Sequence, residues 1–236
     1  MRFSWTVVPA AAVALFASAA PAYAAKVESL QKLGRESFYA FVEQKVPAKA
    51  EPKDSAKTVG RLTTKTGEGT DDLVLVLART TDEDEQVWLK VRLPIRPNGT
   101  TGWVREEALS SLQPVDTWLK ISTKTYRATL IKKGKKVWSS PIGVGQNQWP
   151  TPKGQFYIRA KLTGYKNPVY GPLAFVTSAT SPTLTDWPGG GIVGIHGTNQ
   201  PGLIPGKISH GCVRVANANI LKLDKLMKVG TPLTVT

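Results

Sequence analysis

The chain has 236 residues and a mass of 25.5 kDa, enough for one large domain or two small ones with real cores. With 41% hydrophobic and 20% charged residues its composition is ordinary for a globular protein, which excludes wholesale disorder. One cysteine excludes an intramolecular disulfide, and two histidines exclude a metal scaffold built from several His or Cys ligands. The net charge of +14 is unevenly spread: residues 25–115 carry 14 basic and 14 acidic side chains, residues 116–236 carry 16 basic and three acidic ones, Asp116, Asp186 and Asp224. Such a field favours nucleic acid, an anionic polymer or a carboxylate-rich molecule, and it equally suits a solubilising surface with no partner.

At the N-terminus, Met1-Arg2 is followed by the apolar run Val7–Ala20 and by Ala22-Tyr23-Ala24, a small-x-small cleavage pattern. Residues 1–24 therefore read as a secretory signal peptide, and the 14-residue run is too short for a membrane span of about 20 residues. Its removal leaves no stable membrane span and directs the chain to the periplasm or cell wall. Export argues against nucleic acid as the partner of the basic half. In Lys26–Gln44 the apolar residues Val27, Leu30, Leu33, Phe38, Phe41 and Val42 recur at mostly helical spacing, which predicts an amphipathic helix or linker over 25–44.

From Thr58 to Leu109 the pattern is β. Leu73–Ala78, Val87–Val91 and Gly102–Arg105 are the strands, and Gly67-Glu68-Gly69 and Pro97-Asn98-Gly99 are the turns. Through Trp88-Leu89-Lys90-Val91 and Gly102-Trp103-Val104 the segment 45–115 resembles the bacterial SH3-like domains that accompany cell-wall enzymes. Its tryptophans suit either a core or a wall-binding platform. Beyond it, Trp118–Ser122, Tyr126–Lys132, Gln155–Lys161, Leu173–Thr177, Gly191–His196 and Pro232–Val235 read as strands, with Lys132–Lys136 as a hairpin turn. One late helix is expected, N-capped by Asn217, presenting Ile220, Leu223 and Met227 on one face and stopped by Gly230.

Both histidines and the cysteine fall within 17 residues, in His196-Gly197-Thr198 and Ser209-His210-Gly211-Cys212-Val213-Arg214. A thiol needs a neighbouring base to become a nucleophile, and an imidazole supplies one. Either histidine would serve on chemistry alone. The base needs a third group to set its tautomer; Asp186 or a backbone carbonyl would do. Gly211 allows a tight turn that brings N–H groups toward a developing oxyanion. Arg214, two residues beyond Cys212, shares its face if the segment is extended, and either grips a substrate carboxylate or makes a structural ion pair.

These two motifs resemble the signature of the L,D-transpeptidase (YkuD-type) catalytic domain. Gly143-Val144-Gly145 and Thr151-Pro152-Lys153-Gly154 with Phe156 extend the likeness upstream, Asn217–Leu226 and Val229–Pro232 downstream, so that it covers 116–236. The resemblance implies a curved β-sandwich, making the whole mainly β, with a small barrel first. It implies Cys212 as nucleophile, His196 as base and acid, and the Gly197 carbonyl orienting the imidazole ring. Gly211 and Cys212 N–H groups would form the oxyanion hole, and His210 and Ser209 would brace the loop. Ser209, Thr198 and Arg214 would lie toward the substrate. Gly164–Gly190 would supply part of a flap.

The implied substrate is a peptidoglycan stem peptide, cross-linked without metal or organic cofactor. A hydrolytic L,D-carboxypeptidase shares the same residues. A non-catalytic wall-binding protein would not need His and Cys together, and zinc held by His196, His210 and Cys212 would have only three ligands at unfamiliar spacing. Since the whole constellation and the excess charge lie in 116–236, a fragment starting near Pro114 is expected to react alone.

Overall fold

The computed structural model describes residues 26–164, 167–185 and 191–236. The expected signal peptide, Asp186, and Tyr165, Lys166 and 186–190 of the expected flap lie outside the described residues. The fold is mainly β, with one α-helix among the described residues.

The N-terminal half supplies β1 (Glu28–Ser29), β2 (Ser37–Phe41), β3 (Val46–Lys49), β4 (Thr58–Leu62), β5 (Leu73–Thr81), β6 (Val87–Arg92), β7 (Thr101–Arg105) and β8 (Gln113–Val115). They form one sheet in the order β4-β3-β7-β6-β5-β2-β8, with β1 also on β5. Leu62, Val74, Val76, Leu89, Val91 and Val104 fill its core. Trp88 and Trp103 are 1% and 6% exposed, so they are core residues and present no open platform.

The expected helix over 25–44 is absent. Ser37–Phe41 is instead β2, an inner strand between β5 and β8. Its aromatic residues suit a strand covered on both faces: Phe38 and Ala40 pack into the N-terminal core, while Tyr39 and Phe41 join Leu73, Leu75 and Tyr157. Apolar residues on both faces can fall at i and i+3 by chance, and here tertiary burial overrides the helical period. Just beyond β2 lies β3, in which Pro47 sits opposite Arg61.

The C-terminal half supplies β9 (Thr117–Ser122), β10 (Arg127–Lys132), β11 (Lys135–Pro141), β12 (Gly143–Gly145), β13 (Gly154–Thr163), β14 (Leu173–Thr180) and β15 (Ile192–His196). After these come β16 (Gly206–Ser209), β17 (Val213–Arg214), α1 (Asn217–Asp224) and β18 (Pro232–Val235). The sheet order is β11-β10-β9-β18-β13-β14-β15-β17-β12-β16. All six expected strands are present. The hairpin turn is Lys133-Gly134, with φ of +49° and +77°, the left-handed pair that a two-residue turn favours. Ile220, Leu223 and Met227 are buried in the core, as the helical period requires. The helix ends differ from expectation. Ala216 is the N-cap and makes no side-chain cap, Asn217 is the first helical residue, and Lys225 caps the end well before Gly230.

The halves pack closely. Arg159 of β13 donates from Nε and Nη2 to both carboxylate oxygens of Asp72, at 2.7 and 2.6 Å. The two side chains are 11% and 1% exposed. The Tyr157 hydroxyl donates to the Leu73 carbonyl at 3.1 Å, and Gly134 N–H donates to the Gly34 carbonyl at 2.7 Å.

Candidate active site

Two parallel strands bring the sequence motifs together. Along β15 and β17, Ile195 pairs with Val213 and His196 with Arg214. Cys212 sits in the connection from β16 into β17. The strand β12 pairs with both β16 and β17. Its glycines permit this: a Cβ on Gly143 would collide with Ile208, and one on Gly145 with the Trp149 carbonyl. The Thr151 hydroxyl accepts from Gly145 N–H at 2.9 Å and donates to the Gly211 carbonyl at 2.8 Å, tying the upstream block to the cysteine loop.

Gly211 has φ of +115°, a conformation open to glycine. Its N–H donates to Ser209 Oγ at 3.1 Å, and Ser209 Oγ donates to the Cys212 carbonyl at 2.5 Å. This N–H is therefore engaged within the loop and is not presented to an oxyanion, contrary to the expectation for Gly211. Ser209 holds the turn from a buried position.

His196 is 3% exposed. Its Nδ1 lies 2.6 Å from the Gly197 carbonyl oxygen, an acceptor only, so Nδ1 carries the proton and Nε2 keeps its lone pair. The orienting group is thus a backbone carbonyl. The ring of Tyr170 meets the imidazole edge-on with centroids 5.0 Å apart. Cys212 Sγ accepts from Gly194 N–H at 3.4 Å. A Cβ on Gly194 would lie 4.0 Å from both Cys212 Sγ and His196 Cδ2, so this glycine marks the place where thiol and imidazole converge.

Both groups line one cleft of about 240 Å³, with Tyr170, Leu184, His210 and Arg214. His210 is exposed and its ring lies against that of Trp149, with centroids 4.1 Å apart and the planes tilted by 40°. Arg214 donates from Nη1 to Gln200 Oε1 at 3.3 Å, and its buried Nε has no hydrogen-bond partner among the described residues. Thr198 is 1% exposed and is not one of the residues that line the cleft. Its N–H donates to Asn217 Oδ1 at 2.8 Å, and its hydroxyl accepts from Gln200 N–H at 3.1 Å.

Burial sets the electrostatics. It lowers the His196 pKa from 6.5 to about 4, helped by the charge of Arg214 and opposed by the hydrogen bond to Gly197. Burial also pushes the Cys212 thiol up, against the pull of Gly194 N–H and Arg214. At neutral pH both groups are uncharged. Asn217, Thr151, Gly194 and Tyr170 are the participants that sequence motifs left unassigned. Thr151 and Asn217 carried a signal, through the Thr-Pro-Lys-Gly block and the Asn217–Leu226 stretch, without a role being read for either in the site.

A family model for the L,D-transpeptidase catalytic domain YkuD matches residues 116–235. The YkuD protein of Bacillus subtilis (strain 168) is 31% identical over 122 residues, 52% of this chain, and that of Bacillus licheniformis is 32% identical over 107 residues, 45% of this chain. The chain spans 66% and 58% of those two relatives, under two thirds of each. The NMR structure of the catalytic domain from E. faecium L,D-transpeptidase is 25% identical, with a TM-score of 0.40, and the match covers 51% of this chain and 97% of that domain. With the family model spanning just over half of its residues, around both the cysteine and the histidine motif, the chain belongs to the YkuD L,D-transpeptidase catalytic-domain family.

Proposed function

We propose that this chain is an exported peptidoglycan L,D-transpeptidase working through Cys212. The observation that carries the reading is the meeting of a buried imidazole, its Nδ1 held by the Gly197 carbonyl, with the only thiol of the chain in one cleft. In the acylation step, Cys212 Sγ attacks the carbonyl of the third residue of a tetrapeptide stem while His196 Nε2 takes the thiol proton. The bond to the terminal D-alanine breaks, His196 returns the proton to the departing amine, and a thioester remains. An amine from a second stem then attacks the thioester, passing its proton through His196 to the sulfur. With Gly211 N–H engaged, the Cys212 N–H is the candidate oxyanion donor. Arg214, lining the cleft beside Cys212, suits a stem carboxylate.

The test is a mass spectrum of the protein mixed with a defined tetrapeptide muropeptide. The expected species is an adduct on Cys212 equal to the stem less D-alanine, discharged by an added amine to a cross-linked product. Discharge by water alone would make the enzyme a carboxypeptidase. Cys212→Ala is expected to form no adduct, and His196→Ala to slow its formation by about 10²–10⁴-fold. His210→Ala should retain most of the rate. Turnover in folded Cys212→Ala would overturn the thiol mechanism.

A further inference from the structure

Every side chain lining the cleft comes from the C-terminal half, yet one wall is held from outside it. We infer that Asn98, in the turn between β6 and β7 of the N-terminal sheet, is a positioning residue that clamps this wall and so sets the fit of the donor stem; the substrate part of this inference rests on the function proposed above.

The contacts form a continuous chain. Asn98 Nδ2 donates to the Thr180 carbonyl at 2.7 Å, and Asn98 Oδ1 accepts from Thr180 N–H and from Thr180 Oγ1, both at 3.0 Å. The pairing of β13 with β14 stops at Ile158 and Thr177. Past that point the Asn98 amide gives the end of β14 the donor and acceptor that another strand would have supplied. Beside it, Arg96 Nη2 donates to the Ser181 carbonyl at 3.3 Å.

Ser181 then passes the constraint into the cleft. Its N–H donates to the Gly191 carbonyl at 2.7 Å, and its Oγ accepts from Leu184 N–H at 3.1 Å. Gly191, with φ of +75°, packs against Leu184 so tightly that a Cβ would collide with the Leu184 carbonyl and lie 2.9 Å from Arg96 Nη2. Ser181, Leu184 and Gly191 all line the cleft that holds Cys212 and His196. Asn98 itself does not. Releasing Thr180 therefore loosens a binding wall and leaves the thiol and imidazole with their own anchors, Gly194 N–H and the Gly197 carbonyl.

The test uses the full chain with Asn98→Ala and Asn98→Asp; the latter keeps the shape and replaces the donor facing the Thr180 carbonyl with an oxygen. Two readouts are taken, amide hydrogen exchange over residues 180–184 and 191–193, and the kinetics of D-alanine release from the tetrapeptide muropeptide. Loss of these hydrogen bonds is expected to speed exchange and raise KM by about tenfold each. The expected change in kcat is within about twofold, the pattern of lost ground-state binding. Alkylation of Cys212 by iodoacetamide should be unchanged. Thr180→Ser, which keeps all three bonds, should behave as the parent. Should Asn98→Ala not fold, Thr180→Val removes one bond of the three and carries the same test. Parent-like KM in folded Asn98 variants overturns the inference, even if exchange is faster, because the clamp would then be structural only. If the parent releases no D-alanine, the transpeptidase reading fails, and exchange alone decides the clamp, unchanged exchange overturning it.

Discussion

At rest Cys212 keeps its proton. Burial holds the thiol above its ordinary pKa of 9.0 and holds His196 near 4, so a thiolate–imidazolium pair is disfavoured from both sides. In the proposed mechanism, proton transfer would then accompany attack instead of preceding it. The sign of the pH dependence follows: below the raised thiol pKa the thiolate fraction grows tenfold per pH unit, so alkylation of Cys212 by iodoacetamide should climb steadily from pH 6 to pH 9. A rate already on a plateau between pH 5 and pH 7 would show a preformed ion pair and overturn this account. Cys212 and its crowding with the histidines were legible in the sequence because the residue types are scarce. The engagement of Gly211 N–H was not, since it depends on the rotamer of Ser209 in the folded turn. Which histidine serves as base was open on chemistry alone. The proposal of His196 is supported by its burial and its Nδ1 anchor, whereas His210 is exposed.

Among the elements, the strands carrying a clear apolar alternation were legible, and the errors fell where an element is covered on two sides. Ser37–Phe41 mimics a helical period because both of its faces are buried. Short β12, β16 and β17 give too few residues for any period to register. Asn217 shows a subtler failure: an Asn at a helix start reads as a cap, but its side chain reaches back to the β15 exit. It accepts from Thr198 N–H at 2.8 Å, and a Cβ on Gly197 would collide with the same Oδ1. The helix thereby holds the segment whose carbonyl orients His196. Asn217→Ala should cost about 1 kcal/mol in stability and lower kcat for D-alanine release. Asn217→Asp, which retains an acceptor at that place, should recover most of both. Equal losses in the two variants, read by urea unfolding and steady-state kinetics, would remove the helix from the support of His196.

For the whole molecule, charge and packing divide the chain differently. The excess of positive charge belongs to residues 116–236, but the boundary it suggests is crossed by a buried ion pair, a tyrosine hydroxyl bond and the Asn98 clamp. Sequence separations of more than 80 residues hide all three from local patterns. The expectation that a fragment from Pro114 onward would react alone therefore needs revision, because such a fragment leaves the Arg159 guanidinium without Asp72. Removing one partner of a buried pair strands the other charge and costs about 3–5 kcal/mol, a large share of the 5–15 kcal/mol that holds a typical domain. Asp72→Ala in the full chain isolates this effect. Urea unfolding followed by circular dichroism and tryptophan fluorescence should give one coincident transition for the parent, and Asp72→Ala should move it down by about that amount. Replacing both partners, as Asp72→Ala with Arg159→Met, should recover much of the loss, since no buried charge then stands alone. Two separate transitions, with the C-terminal one indifferent to Asp72→Ala, would mean that the halves fold independently and that the ion pair joins finished units.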